Sequence, residues 1–136
     1  PAGSYYVAIR HRNHLPIMTA SPVNLGGNLV SVDFTNPSTA TYGGEAQKDV
    51  SGKMAMWAGD CNPEGVLKYS GVSNDRDLIL QIIGGSVPTA TATGYFSEDV
   101  NMDGVVKYAG SNNDRDIILI NIGGTVPTAT RVAQIP

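Results

Sequence analysis

Oxygen-bearing side chains recur in this chain at the alternate spacing that a hard cation requires. Asp60, Asn62 and Glu64 lead into Gly65, and Asp99, Asn101 and Asp103 lead into Gly104. Ca²⁺ collects roughly 6 to 8 oxygens at about 2.3 to 2.6 Å, and a loop supplies them from alternate positions while a glycine at the sixth permits the sharp turn. The next residues, Val66 and Val105, would add a backbone carbonyl each. An EF-hand loop then closes on a carboxylate at its twelfth position, but here those positions hold Gly71 and Gly110. Both copies instead insert Lys-Tyr-x-Gly before Asn74-Asp75-Arg76-Asp77 and Asn113-Asp114-Arg115-Asp116. Asp77 and Asp116 are expected to close the two extended loops, with Asp75 and Asp114 as the alternatives.

The two copies lie 39 residues apart and match at 21 of 32 positions without a gap, from Asp60 to Thr91 and from Asp99 to Thr130. One copy alone reads equally well as a hairpin, because Asp-Gly accepts the positive φ angles of a type I′ turn. A turn, however, needs only its central pair, whereas both copies keep three acceptors, the glycine and the distal Asn-Asp-Arg-Asp cluster. Two Ca²⁺ sites are therefore expected, the Asp99 loop more firmly than the Asp60 loop, where Glu64 is longer than Asp and follows Pro63. The pattern D-x-N-x-[DE]-G followed by Asn-x-x-Asp-hydrophobic resembles the duplicated calcium loop and helix of bacterial dockerin modules, which are similar to EF-hands without the entering helix. The chain from about residue 59 to 130 looks like an extended-loop relative found in large secreted bacterial surface proteins. That resemblance implies calcium and an extracellular or cell-surface setting.

Elements to position these loops are legible around them. Leu78, Ile79, Ile82 and Ile83, and then Ile117, Ile118 and Ile122, fall on one helical face. Asn74 or Asp75 can cap the first helix, acidic residues occupy its first turn, and Gly84-Gly85 stops it. The β-branched run from Asp116 to Ile122 also suits a buried strand, so helix is the preferred of two readings. Residues 5–18, 28–35 and 53–58 are rich in β-branched and aromatic side chains and bounded by Gly, Pro, Asn and Ser, which predicts strands. Residues 89–96 and 128–135 look similar, and each is expected to return its repeat to the sheet. The expected fold is α+β: a β-rich N-terminal sheet or sandwich, residues 1–58, with two tandem calcium loop-helix repeats, 59–97 and 98–136, docked on it as one compact unit.

Charge is scarce at 15% of residues, against roughly 25% in ordinary globular proteins, and ten of the 12 acidic residues fall between Asp49 and Asp116. Two divalent ions would more than cancel the formal charge of −3. Beyond Arg10-His11-Arg12 there is no basic stripe, which speaks against nucleic acid, and no apolar run approaches the ~20 residues of a membrane-spanning helix. On a strand Arg10, Arg12 and His14 share one face, either as a solvated edge or as a cationic strip for acidic groups, glycans or a neighbouring subunit. His11 and His14 would leave opposite faces and so make a poor metal pair. Cys61 reads as a small apolar filler, its counterpart being Val100. Pro1 and the absence of an initiator Met suggest a processed or excised piece.

Nothing in the sequence marks a nucleophile elbow, a phosphate loop or a zinc site, and the carboxylates that could act as acid and base are those the loops require. No catalysis is expected. A calcium-stabilised extracellular structural or adhesion module fits best. The alternatives are a subunit of an extracellular filament or surface layer that self-associates through strands, or a carbohydrate-active accessory domain making glycan contacts.

Overall fold

The structure, a computed structural model, describes residues 2–136 and is an α+β chain of short paired strands and two helices. The described residues group into two units: residues 2–11, 16–57 and 133–136 form the first, and residues 12–15 and 58–132 the second.

In the first unit the strands form ribbons of two rather than the expected continuous sheet or sandwich. Strand β1 (Ser4–Tyr5) has its partner further along, in β4; β2 (Ala8–His11) turns through Arg12–Asn13 into β3 (His14–Met18), with which it pairs; β4 is Val23–Asn24. The antiparallel hairpin of β5 (Gln47–Val50) and β6 (Lys53–Met56) turns on Ser51 and Gly52, both at positive φ (54° and 84°), as a two-residue hairpin turn demands. Ile17, Phe34 and Ala46 are buried together, with Val7, Val32 and Met56 packed against them. No strand forms over residues 28–35. There Asp33 accepts bonds from the Thr35 N–H (2.9 Å) and hydroxyl (2.7 Å), an Asx turn that diverts the chain, and Leu29 is fully exposed.

The second unit holds the repeats. Each contributes a three-residue strand, a helix and a closing strand: β7 (Val66–Lys68), α1 (Asp75–Ile82) and β8 (Thr91–Thr93), then β9 (Val105–Lys107), α2 (Asp114–Asn121) and β10 (Thr130–Val132). The closing strands do not return to a sheet in the N-terminal segment. Instead β8 pairs with β9 and β10 with β7, both antiparallel, so each repeat closes on the first strand of the other. The registers are equivalent, Ala92 opposite Val106 and Arg131 opposite Leu67. Buried between strands and helices lie Leu67, Ile79, Ile83, Val100, Val106, Ile118 and Ile122. Each such side chain contributes about 1.5 to 3 kcal/mol of transfer free energy.

Both helices start and stop as their residues dictate. Asn74 and Asn113 sit at extended dihedrals (φ −80°, ψ 149° and 150°) and accept the N–H of Asp77 and Asp116, satisfying a donor the first turn cannot. At the far ends Gly85 and Gly124 donate to Leu80 and Leu119 at 2.8 Å from positive-φ conformations that only glycine adopts without strain. The Lys-Tyr-x-Gly insert is anchored by its tyrosines: the guanidinium of Arg76 lies 5.2 Å over the Tyr69 ring, and that of Arg115 lies 5.0 Å over Tyr108.

Candidate metal centre

The first residue of each loop folds the loop around its own carboxylate. Asp60 Oδ1 and Oδ2 accept the N–H groups of Glu64 (3.1 Å) and Gly65 (3.0 Å); Asp99 does the same for Asp103 (3.1 Å) and Gly104 (3.0 Å). Gly65 and Gly104 stand at φ 80° and 87°, where a side chain would be strained. Asn62 and Asn101 each accept the N–H of the residue two ahead, at 3.3 and 2.8 Å. Both Asp60 and Asp99 are buried.

The far end of each loop is held by the first helical aspartate, not the third residue of the helix. Asp75 is fully buried and accepts N–H bonds from Cys61 and Lys68, both 2.8 Å. Asp114 is equally buried and accepts from Val100 (2.7 Å), Asn101 (3.1 Å) and Lys107 (2.8 Å). Each thus ties the second residue of its loop to the lysine of the insert, which explains why the longer loop still closes. Asp77 and Asp116 are half-exposed and otherwise engaged. Asp77 accepts from Asn74 Nδ2 (2.8 Å) and from Arg76 (2.9 and 3.1 Å), and Asp116 repeats these contacts with Asn113 and Arg115. Asp116 does line an open pocket of about 550 Å³ with Asn101 and Asp103, beside the exposed Ile120.

Electrostatics separate these acids. Burial drives Asp75 up to about 7 despite its two N–H donors, and the negative charge of Asp60 adds to the rise. Burial raises Asp60 and Asp114 as well, with Asp99 adding to the rise at Asp114. Asp77 and Asp116 lie below the ordinary value, held down first by the Asn74 and Asn113 amides and then by their arginines. So at Asp75 and at Asp114 a like charge, from Asp60 and from Asp99, adds to burial in disfavouring ionisation unless a cation joins the pair. Burial likewise pushes the Cys61 thiol up, as befits an inert apolar filler opposite Val100.

The remaining donors are all hard oxygens, suited to Ca²⁺ rather than a soft metal. Their carboxylates are not gathered: Glu64 pairs with Lys68 at 3.0 Å, and Asp103 accepts from Val105 N (2.9 Å) and Asn101 Nδ2 (3.2 Å). Among the described residues no three His, Cys, Asp or Glu side chains converge as metal ligands. Val66 and Val105 open β7 and β9, opposite Val132 and Thr93.

Three residues outside the repeat pattern complete the surroundings. Asn13, fully buried in the β2–β3 turn, donates to the carbonyls of Ser97 (2.9 Å) and Asp99 (2.8 Å), while its own carbonyl accepts the Gly59 N–H (2.8 Å). Arg12 beside it donates to Phe96 O at 3.0 Å and brings its guanidinium to 3.7 Å from Asp99. Asn121 donates to Ala58 O at 2.8 Å. Its signal in the sequence is a polar residue on an apolar helix where the first copy has Ile82; nothing local in the sequence marks Asn13. Arg12 therefore belongs to a turn, not to a strand face shared with Arg10 and His14. Among the described residues no helix is long and apolar enough to cross a membrane. No protein-family model, curated protein or solved structure matches the chain.

Proposed function

We propose that this chain is a non-catalytic, dockerin-like calcium-binding module of a secreted or cell-surface protein, in which bound calcium stabilises the duplicated loop-helix unit. The observation that carries the reading is the pair of buried carboxylates at the two ends of each loop, Asp60 with Asp75 and Asp99 with Asp114, with their N–H partners all inside the loop. Asp60, Asn62, Glu64, the Val66 carbonyl and Asp75 would hold one ion, and Asp99, Asn101, Asp103, the Val105 carbonyl and Asp114 the other. Asp77 and Asp116 orient the capping amides of Asn74 and Asn113 and pair with Arg76 and Arg115 in this scheme, and Asp75 and Asp114 take the closing role. The ion's contribution is charge: it neutralises carboxylates that are costly to bury unpaired. With calcium at about 100 times Kd, mass action adds roughly 2.7 kcal/mol per site. The expected result is a higher melting midpoint in millimolar calcium than in EGTA, followed by circular dichroism. Identical curves would refute the proposal.

A further inference from the structure

The two loops match internally yet differ in one neighbour. Arg12 reaches the second loop from the β2–β3 turn and is fixed there three ways. Its Nε donates to Phe96 O (3.0 Å), its guanidinium stacks 4.0 Å over the Tyr95 ring, and its Nη2 lies 3.7 Å from Asp99 Oδ2. Both side chains of the ion pair are largely withdrawn from water, 18% and 4% exposed, so solvent screens the attraction little. The adjoining Asn13 fixes the same stretch with two donated bonds, to Ser97 and Asp99. In the first loop the equivalent carboxylate, Asp60, is just as buried, and among the described residues no arginine or lysine forms an ion pair with it. The one lysine nearby, Lys68, is paired with Glu64 instead.

From this asymmetry we infer that Arg12 is a tethered counter-cation for the second loop, keeping Asp99 and the loop around it in place when calcium is absent, while the first loop depends on the ion alone. The inference rests on the calcium-binding function proposed for the loops and adds an order of events to it. On calcium removal the first loop loses its arrangement and the second retains its own. The guanidinium approaches Oδ2, the oxygen that also accepts the Gly104 N–H, while Oδ1 accepts the N–H of Asp103.

Hydrogen exchange of the full chain, read by NMR in calcium and in EGTA, tests it. The reporters are the amides that Asp60 and Asp99 accept: Glu64 and Gly65 for the first loop, Asp103 and Gly104 for the second. In EGTA the first pair is expected to exchange about tenfold faster and the second pair less than about threefold faster. Arg12→Gln should make the second pair respond like the first, and Arg12→Lys, which keeps the charge but not the planar fork, should fall between. Equal loss of protection in both loops of the unaltered protein would overturn the inference and leave calcium binding standing. The inference also fails, with calcium binding intact, if Arg12→Gln leaves the second loop unchanged in EGTA. Exchange indifferent to calcium in both loops would overturn calcium binding and the role of Arg12 together.

Discussion

The loops that begin at Asp60 and at Asp99 share their internal bonds almost atom for atom, and differ in what surrounds them. The caps have the same dihedrals, the first aspartates accept the same two amides, and the buried helical aspartates tie the same positions. Outside that shared frame the first loop has Lys68 on Glu64 and Asn121 on the preceding Ala58, and the second has Arg12 on Asp99. Duplication therefore fixes the inside of a loop, but single-copy residues decide its charge. Two sites with one motif need not respond alike.

The strongest way to break the comparison is to remove the acid that closes each loop. Asp75→Ala and Asp114→Ala should each cost about 2 to 4 kcal/mol in calcium, because each leaves buried N–H groups without an acceptor. Asp114→Ala should be the worse of the two, since that carboxylate serves three amides and Asp75 only two. Urea unfolding at fixed calcium measures this; a larger loss from Asp77→Ala or Asp116→Ala would reverse the assignment of roles.

A second effect distinguishes the loops by pH. Because Asp75 rises from an ordinary 3.8 to about 7 in the folded chain, the native state binds more protons than the unfolded one between those values. In EGTA its contribution to stability is present in full below about 3.8 and is lost as the pH rises through about 7. Thermal melts of the calcium-free protein should therefore show Asp75→Asn abolishing much of the decline between about pH 5 and 8. An unaltered pH profile in that variant would remove Asp75 as its source.

The smallest effect should be the same in both copies. Asn74→Ala and Asn113→Ala each remove one helix cap and should cost about 1 kcal/mol alike. Costs that differ by more than that would show the second-copy helix to be held by something besides its cap.

How much of this is legible in the sequence follows from the range of the interactions. The helices, their Asn caps and Gly-Gly stops are local, and so are readable from residues within one turn of each other. The tight turn at Asp60 and Asp99 is readable for the same reason. Residues 28–35 have the β-branched composition of a strand, yet in the folded chain the single Asp33 turn outweighs it. Strands β7 and β9 are hidden between the loop glycine and the insert, each only three residues long and defined by a partner far away. Arg12 and Asn13 act on residues more than eighty positions distant, for which no spacing rule exists.

The crossed pairing of the closing strands has a consequence for the order in which the molecule can be made. Leu67 has no ladder partner until Arg131 exists, whereas Val106 has had Ala92 available since before it was synthesised. During synthesis on a ribosome, the repeat that appears second is thus the first able to complete its ribbon. The earlier repeat must wait, with its strand open, until Thr130–Val132 of the second repeat have been made.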